Sequence, residues 1–158
     1  MARTHRIALA LALAALAGCT PGGIASGGAN TGGSGGGPGI INVSLTAYPV
    51  TTIPAGTSGG FNPASSSLSV GSTVRFVNTD SFAHTATASP GASTFPSGSP
   101  FGSSALNSSG TTISGAWSSG TLQAGQASQT ITIDKPGTYL YGCFYHYGAP
   151  MRGEIVAF

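Results

Sequence analysis

Alternation of apolar and polar residues over short segments is the feature that most constrains the fold of this chain. In the segment 40–47 every second residue is apolar: Ile41, Val43, Leu45 and Ala47. The segments 127–134 and 138–143 alternate in the same way, and turn residues such as Pro136 and Gly137 separate the two. A period of two is that of a β-strand with one buried face. We therefore predict an all-β domain, a Greek-key β-sandwich.

Charge is scarce, at 5% of the residues of this 158-residue chain. After the first six residues the charged side chains are three basic and three acidic: Arg75, Lys135, Arg152, Asp80, Asp134 and Glu154. The predicted domain is therefore formally neutral and has no basic stripe. Such a surface releases no counterions from a phosphate backbone, so we expect no nucleic-acid partner.

The N-terminus resembles an export signal that ends in a lipidation site. A basic start precedes the short apolar run 7–16, which is too short to span a membrane stably. Leu16-Ala17-Gly18-Cys19 resembles the lipobox of bacterial lipoproteins, in which the cysteine is lipidated. We expect a signal peptide over 1–18 and an extracytoplasmic protein, periplasmic or at the cell surface, anchored to a bacterial membrane through Cys19. The alternative is ordinary cleavage nearby, with Cys19 incidental.

Composition divides the remainder into a tether and one domain. The segment 19–39 is rich in glycine, and such chains are flexible. Regular alternation begins at Ile40, so we place the domain at 40–158. Within it, 89–115 scatters a few apolar residues among Ser, Gly and Pro. We interpret this excursion as a variable surface insertion, although it could cover one end of the sandwich or contact a partner. Trp117, directly after it, is expected in the core.

A cluster of metal-ligand residue types lies near the C-terminus. Cys143, His146 and Met151 are separated by two and then four residues. A thiol, an imidazole and a thioether suit copper, whereas magnesium and calcium prefer oxygen ligands. Copper of this kind is held by two histidines and one thiolate in a plane, with a weak axial methionine. One histidine is missing from the cluster.

His84 supplies the missing ligand. The chain has three histidines, and His5 lies in the predicted signal peptide, so His84 and His146 are the two that remain. Cys143 would have no disulfide partner once Cys19 is lipidated or removed. Each residue alone is more simply explained as a buried thiol, a hydrogen-bonded histidine or core filler. Together, at this spacing, they favour a copper site.

From 40 to 158 the sequence resembles the cupredoxins, the small blue copper proteins of the plastocyanin, pseudoazurin and amicyanin type. Two stretches carry the resemblance. The first is the terminal signature: Gly137 to Cys143, His146, Met151, Gly153 and Ile155. The second lies upstream: Phe61-Asn62-Pro63, Gly71, Val74, Asn78, Asp80 and His84-Thr85.

The resemblance implies a cupredoxin-like sandwich with one type 1 copper ion. His84, Cys143 and His146 would be the equatorial ligands and Met151 the axial one. It implies a one-electron carrier without catalysis, which exchanges electrons with redox proteins such as a cytochrome or a membrane oxidase or reductase complex. We expect a monomer.

The family also implies an exposed second histidine within an apolar patch. By that resemblance His146 is the electron port, ringed by apolar residues: Phe82, Tyr147, Ala149 and Pro150. We further expect Asn78 and Thr85 to fix the two loops that carry the ligands, and the backbone of Ala83 to lie near the second axial position. The chain departs from plastocyanins in having Phe144 and Tyr145 between the cysteine and the second histidine, and Gly142 before the cysteine.

Other functions fit the residues less well. A catalytic type 2 copper centre needs further histidines, a binuclear centre needs a second thiolate in the loop, and zinc sites rarely use methionine. Copper delivery or storage could use the same ligands in a looser site, but the Met-rich and His-rich tracts common in such proteins are missing. A metal-free structural sandwich at the cell surface is the remaining alternative.

Overall fold

Two β-sheets packed face to face form the body of the protein. The computed structural model describes residues 37–158; the predicted signal peptide, Cys19 and most of the tether lie outside them. The elements are β1 (Gly39–Val43), β2 (Thr51–Ile53), β3 (Gly56–Ser58), β4 (Phe61–Asn62), β5 (Ser65–Leu68), β6 (Thr73–Asn78), β7 (Thr87–Ala88), a 3-10 turn (Ser103–Leu106), β8 (Ser108–Ser109), β9 (Ser118–Ser119), β10 (Ile131–Thr132), β11 (Gly137–Gly142) and β12 (Arg152–Ala157). No helix in this described part is long and apolar enough to cross a membrane.

The strands pass repeatedly from one sheet to the other. One sheet has the order β10-β6-β1-β4 and the other the order β5-β12-β11-β7-β9-β8, while β2 and β3 form a separate hairpin. The consecutive strands β4, β5, β6 and β7 alternate between the two sheets. β1 runs parallel to β6, and β5 runs parallel to β12. This is the sandwich that the alternating pattern predicts, because each sheet has one apolar face to bury.

Aromatic side chains fill the space between the sheets. The ring of Phe76 lies 5.4 Å from that of Trp117, stacked upon it, and meets the rings of Tyr141 and Phe61 edge to face at 5.0 and 6.1 Å. All four side chains are at most 2% exposed. Burial of such rings contributes about 1.5–3 kcal/mol each. Trp117 therefore belongs to the core, as predicted.

The predicted strands form, but several are shorter than the alternation suggested. β1 ends at Val43, because the Ser44 hydroxyl accepts a hydrogen bond from the Ala47 N–H and the chain turns there. Within 127–134 only Ile131–Thr132 is a strand, although Ile131 and Ile133 are both fully buried. The Cys143 thiol points inward, and its residue is 0% exposed.

The Tyr141 hydroxyl is a weak point of this core, because it is buried without a hydrogen-bond partner among residues 37–158. Burial also raises the pKa of Tyr141. We expect Tyr141→Phe to raise the free energy of unfolding by about 1 kcal/mol, since the cost of desolvating the hydroxyl disappears. Urea denaturation measures this change.

Tyr139→Phe is the matched control. The Tyr139 hydroxyl donates to the Lys135 carbonyl at 3.0 Å near the surface, so its removal should lower stability by at most about 1 kcal/mol. A loss of stability in Tyr141→Phe as large as in the control would show that the buried hydroxyl is satisfied in solution.

Candidate metal centre

Three side chains from two distant parts of the chain meet at one end of the sandwich. The Nδ1 atoms of His84 and His146 are 3.2 Å apart, and each lies 3.8 Å from the Cys143 sulfur. His84 and Cys143 are fully buried, whereas His146 is half-buried. The predicted pairing of His84 with the C-terminal cluster is present in the structure.

The size of this triangle fits a metal ion. A point equidistant from the three atoms lies about 2.1 Å from each, within the range of metal–nitrogen and metal–thiolate bonds. The donor set of two imidazoles and one thiolate is that of type 1 copper. The residues present therefore fit copper.

Pairing of β11 with β12 positions the C-terminal residues of the site. Cys143 follows the last residue of β11 and Met151 precedes the first residue of β12, and these strands pair in antiparallel register. The Cys143 N–H donates to the Met151 carbonyl at 3.0 Å, and the Met151 N–H donates to the His146 carbonyl at 3.1 Å. The loop between them thus closes on itself.

Met151 is fully buried beside a glycine. A Cβ at Gly60 would overlap the Met151 side chain and lie 3.2 Å from its sulfur, and Gly60 also has a positive φ of 71°. A larger residue at this position would therefore move the thioether as well as strain the backbone. Ligation by Met151 remains a prediction.

Thr85 connects the two ligand-bearing segments. Its N–H points at the Cys143 sulfur at 3.4 Å, and its hydroxyl accepts the Phe144 N–H at 2.8 Å. Burial raises the pKa of the Cys143 thiol, and this N–H partly opposes the rise. Binding of a cation is what makes a buried thiolate favourable, because the charge is then compensated.

Asn78 lies on the His84 side of the site. Its side-chain amide donates to the carbonyls of Phe82 and Leu122 at 2.7 and 2.9 Å. The His84 N–H also donates to the Leu122 carbonyl, at 3.1 Å. Asn78 and His84 thus bind the same carbonyl, that of Leu122, and Asn78 joins the turn before His84 to the Leu122 segment. The predicted role of the Ala83 backbone stays a prediction.

Asp80 is part of the upstream stretch that carries the resemblance, but no role in the site was predicted for it. Its Oδ2 lies 3.2 Å from His84 Nε2 and also accepts the Leu45 N–H at 2.8 Å. Burial of the carboxyl opposes ionisation, but the hydrogen bonds from His84, Ser81, Leu45 and Ser44 outweigh it and lower the pKa of Asp80 to about 2. Burial in turn lowers the pKa of His84. A carboxylate at Nε2 places the proton there and leaves the Nδ1 lone pair for a metal.

The outer surface of the site is apolar and partly aromatic. Phe82 is 54% exposed and Tyr145 is 43% exposed, and the Tyr145 ring lies 6.2 Å from that of His146. Tyr147, expected in this ring, is instead buried, because its hydroxyl donates to the Pro96 carbonyl and the Arg152 guanidinium lies 4.2 Å above its ring. Tyr145 takes its place.

A β-sandwich with a buried His–Cys–His group at one end is the structure of a cupredoxin. Residues 51–157 match the family of copper binding proteins described as the plastocyanin/azurin family, and the chain belongs to it. No curated protein sequence matches the chain.

Among the solved structures that are similar in outline are an amicyanin and a purple cupredoxin. The reduced state of an amicyanin variant has 18% identity, a TM-score of 0.48 and coverage of 77% of this chain and 83% of its own. The purple cupredoxin from Nitrosopumilus maritimus has 19% identity, a TM-score of 0.49 and coverage of 76% and 99%.

Family membership and the donor triangle together assign one type 1 copper ion to this protein. Bound copper supplies one-electron chemistry, since it cycles between its +1 and +2 states. The chain is thus a blue copper protein, of the class that carries electrons.

Loss of the Asp80 charge should favour copper(I). We expect Asp80→Asn to raise the reduction potential by tens of millivolts, on the order of 1 kcal/mol, because a nearby negative charge stabilises copper(II) more than copper(I). Spectroelectrochemical titration of the blue absorption measures this shift.

Asp134→Asn is the control, since Asp134 is a partly exposed carboxylate bound to Ser114, and it follows β10 at the start of β6, opposite to the end that leads to His84. Equal potentials in wild type and Asp80→Asn would show that the Asp80 charge does not act on the metal.

Proposed function

We propose that the protein is a one-electron carrier between redox partners of the membrane or periplasm, with His84, Cys143, His146 and Met151 as copper ligands. The observation that carries the proposal is the burial of the donor triangle. His84 and Cys143 are buried, and of the three residues only His146 reaches the surface. The copper ligands of a carrier should move little when the oxidation state changes. The Asp80 carboxylate accepts a hydrogen bond from His84, the Thr85 N–H donates to Cys143, and Asn78 holds the turn before His84.

The two ends of the site divide its roles. Asp80 holds His84 inside the domain, whereas His146 is half-buried beside the exposed Tyr145, and the exposed Phe82 lies two residues before His84. Electrons would enter and leave through His146, because its ring is the ligand closest to solvent. Docking there would depend on apolar contact more than on charge, since the domain is formally neutral.

Lipidation of Cys19 and the glycine-rich tether complete the proposal. A lipid anchor would hold the domain at an extracytoplasmic membrane surface, and the glycine-rich segment 19–39, acting as a tether, would let it reorient between a donor and an acceptor. The partners would be redox proteins such as a cytochrome or a membrane oxidase or reductase complex.

Copper loading of the purified full chain tests the redox site. We expect copper(II) to produce an intense blue band and a narrow hyperfine splitting in the paramagnetic-resonance spectrum, and ascorbate to bleach the colour. Cys143→Ala should lose both signals, because the thiolate–copper bond produces them.

Cys19→Ala is the matched control: it removes the other cysteine, should keep the blue band, and should release the protein from membranes. A folded wild-type chain that stayed colourless would refute the carrier. Weak copper binding would instead indicate delivery or storage, and no binding a structural sandwich.

The apolar face can be tested through electron self-exchange between oxidised and reduced copies. We expect Phe82→Glu to slow self-exchange at least about tenfold, because two copies that meet at this face would bring like charges together. Line broadening of nuclear magnetic resonances in mixed oxidation states measures the rate.

Val70→Glu serves as the control. Val70 is 44% exposed, and it lies in the turn between β5 and β6, at the end of β6 opposite to His84. Equal slowing by both substitutions would show that net charge matters and the face does not.

A further inference from the structure

A cavity separate from the donor triangle lies over β11 and β12 of the six-stranded sheet. Its volume is about 540 Å³. Leu140, Glu154 and Val156 form its floor, since Leu140 and Glu154 are registered neighbours on β11 and β12 and Val156 is two residues further along β12. Leu140 is 2% exposed but is not part of the core between the sheets. Other segments must therefore cover this face.

Two segments provide the walls. The turn of the β2–β3 hairpin contributes Pro54 and Ala55, and the excursion contributes residues from 89–93 and 113–115. The Phe95 N–H donates to the Ala55 carbonyl at 3.1 Å, which joins hairpin and excursion. The excursion, interpreted from the sequence as a variable insertion, thus encloses a cavity.

Glu154 is the charged group of this cavity, and it is 1% exposed. The Ser65 hydroxyl donates to its Oε1 at 2.8 Å. No lysine, arginine or histidine of residues 37–158 forms an ion pair with it. Arg152, on the same face of β12, directs its guanidinium onto the Tyr147 and Phe95 rings instead. Burial of an unpaired carboxylate is costly, and a cation in the cavity would compensate it.

The remaining lining favours an organic body over a bare ion. Proline and alanine side chains of the hairpin turn, Pro54 and Ala55, lie in the wall. Ile113 and Leu140 add apolar surface. Metal cations such as calcium take six or more oxygen ligands, usually with several carboxylates among them, and Glu154 is the one carboxylate of this lining. Small-molecule sites have this volume and this combination of apolar surface with a few polar groups, which are here Glu154 and the hydroxyls of Ser89, Ser93, Ser114 and Thr138.

We propose that this cavity binds a small organic cation, an ammonium group carried on an apolar body. The ammonium pairs with the Glu154 carboxylate, and the body packs against Pro54, Leu140 and Val156. This site is independent of the copper ligands, although Leu140 lies only three residues before Cys143 on the same strand. The proposal assigns the excursion a function that electron transfer does not require.

Trp117 provides a direct probe, because it is the only tryptophan of the chain. The full chain carrying copper(I) is titrated with cyclohexylammonium, benzylammonium and piperidinium chlorides while Trp117 fluorescence and binding heat are recorded. We expect saturable 1:1 binding of at least one of them. The uncharged cyclohexanol and the anionic cyclohexanecarboxylate should bind at least about tenfold more weakly, a difference of about 1.4 kcal/mol.

Glu154→Gln is the decisive variant, since it keeps the shape and removes the charge. Affinity for the ammonium ions should fall at least about tenfold, while the blue copper spectrum stays unchanged and reports an intact fold. Val70→Lys, which changes the net charge by the same amount at an exposed position outside the cavity, should bind as wild type does. Val156→Phe fills part of the cavity and should also weaken binding, which keeps the test valid if Glu154→Gln fails to fold.

Three results would overturn the proposal. The first is the absence of saturable binding for all three ammonium ions. The second is equal affinity for cyclohexanol and cyclohexylammonium. The third is unchanged affinity in Glu154→Gln, or in Val156→Phe if the first variant does not fold. None of them bears on the copper site, which the blue spectrum tests separately.

Discussion

The antiparallel pairing of β11 with β12 is the constraint on which the site depends. Six consecutive residue pairs, from Gly137 with Ala157 to Gly142 with Arg152, fix where the ligand loop begins and ends. The loop then closes through the hydrogen bond from the Cys143 N–H to the Met151 carbonyl. Both strands are inner strands of the six-stranded sheet, so the sandwich holds both ends of the loop rigidly.

The remaining histidine is brought in by contacts that are distant in sequence. Thr85 touches Cys143 across 58 residues, and Asp80 binds both His84 and the backbone of Leu45. The domain has three acidic side chains, and one of them, Asp80, lies directly behind His84. The buried Asp80 carboxylate thus fixes the orientation of the His84 imidazole through a hydrogen bond.

Sequence patterns predicted the features that depend on local order. The alternation in 138–143 placed Cys143 inside, and the short spacing from Cys143 to Met151 gathered three side chains within one loop. The patterns did not predict features that depend on contacts with distant segments. Tyr147 was expected at the surface, yet Pro96 and Arg152 hold it inside. The Asp80–His84 contact was not predicted, because two residues four apart in a turn touch only in certain turn conformations.

The sequence by itself determined the class of fold, the chemistry of the donors and the scarcity of charge, because periodicity and residue type are local properties. Tertiary structure alone decided which groups face one another. It set the 3.2 Å separation of the two imidazole nitrogens and aimed Asp80 at His84. It also laid the excursion over Glu154, since the burial of a side chain depends on segments far from it in the chain.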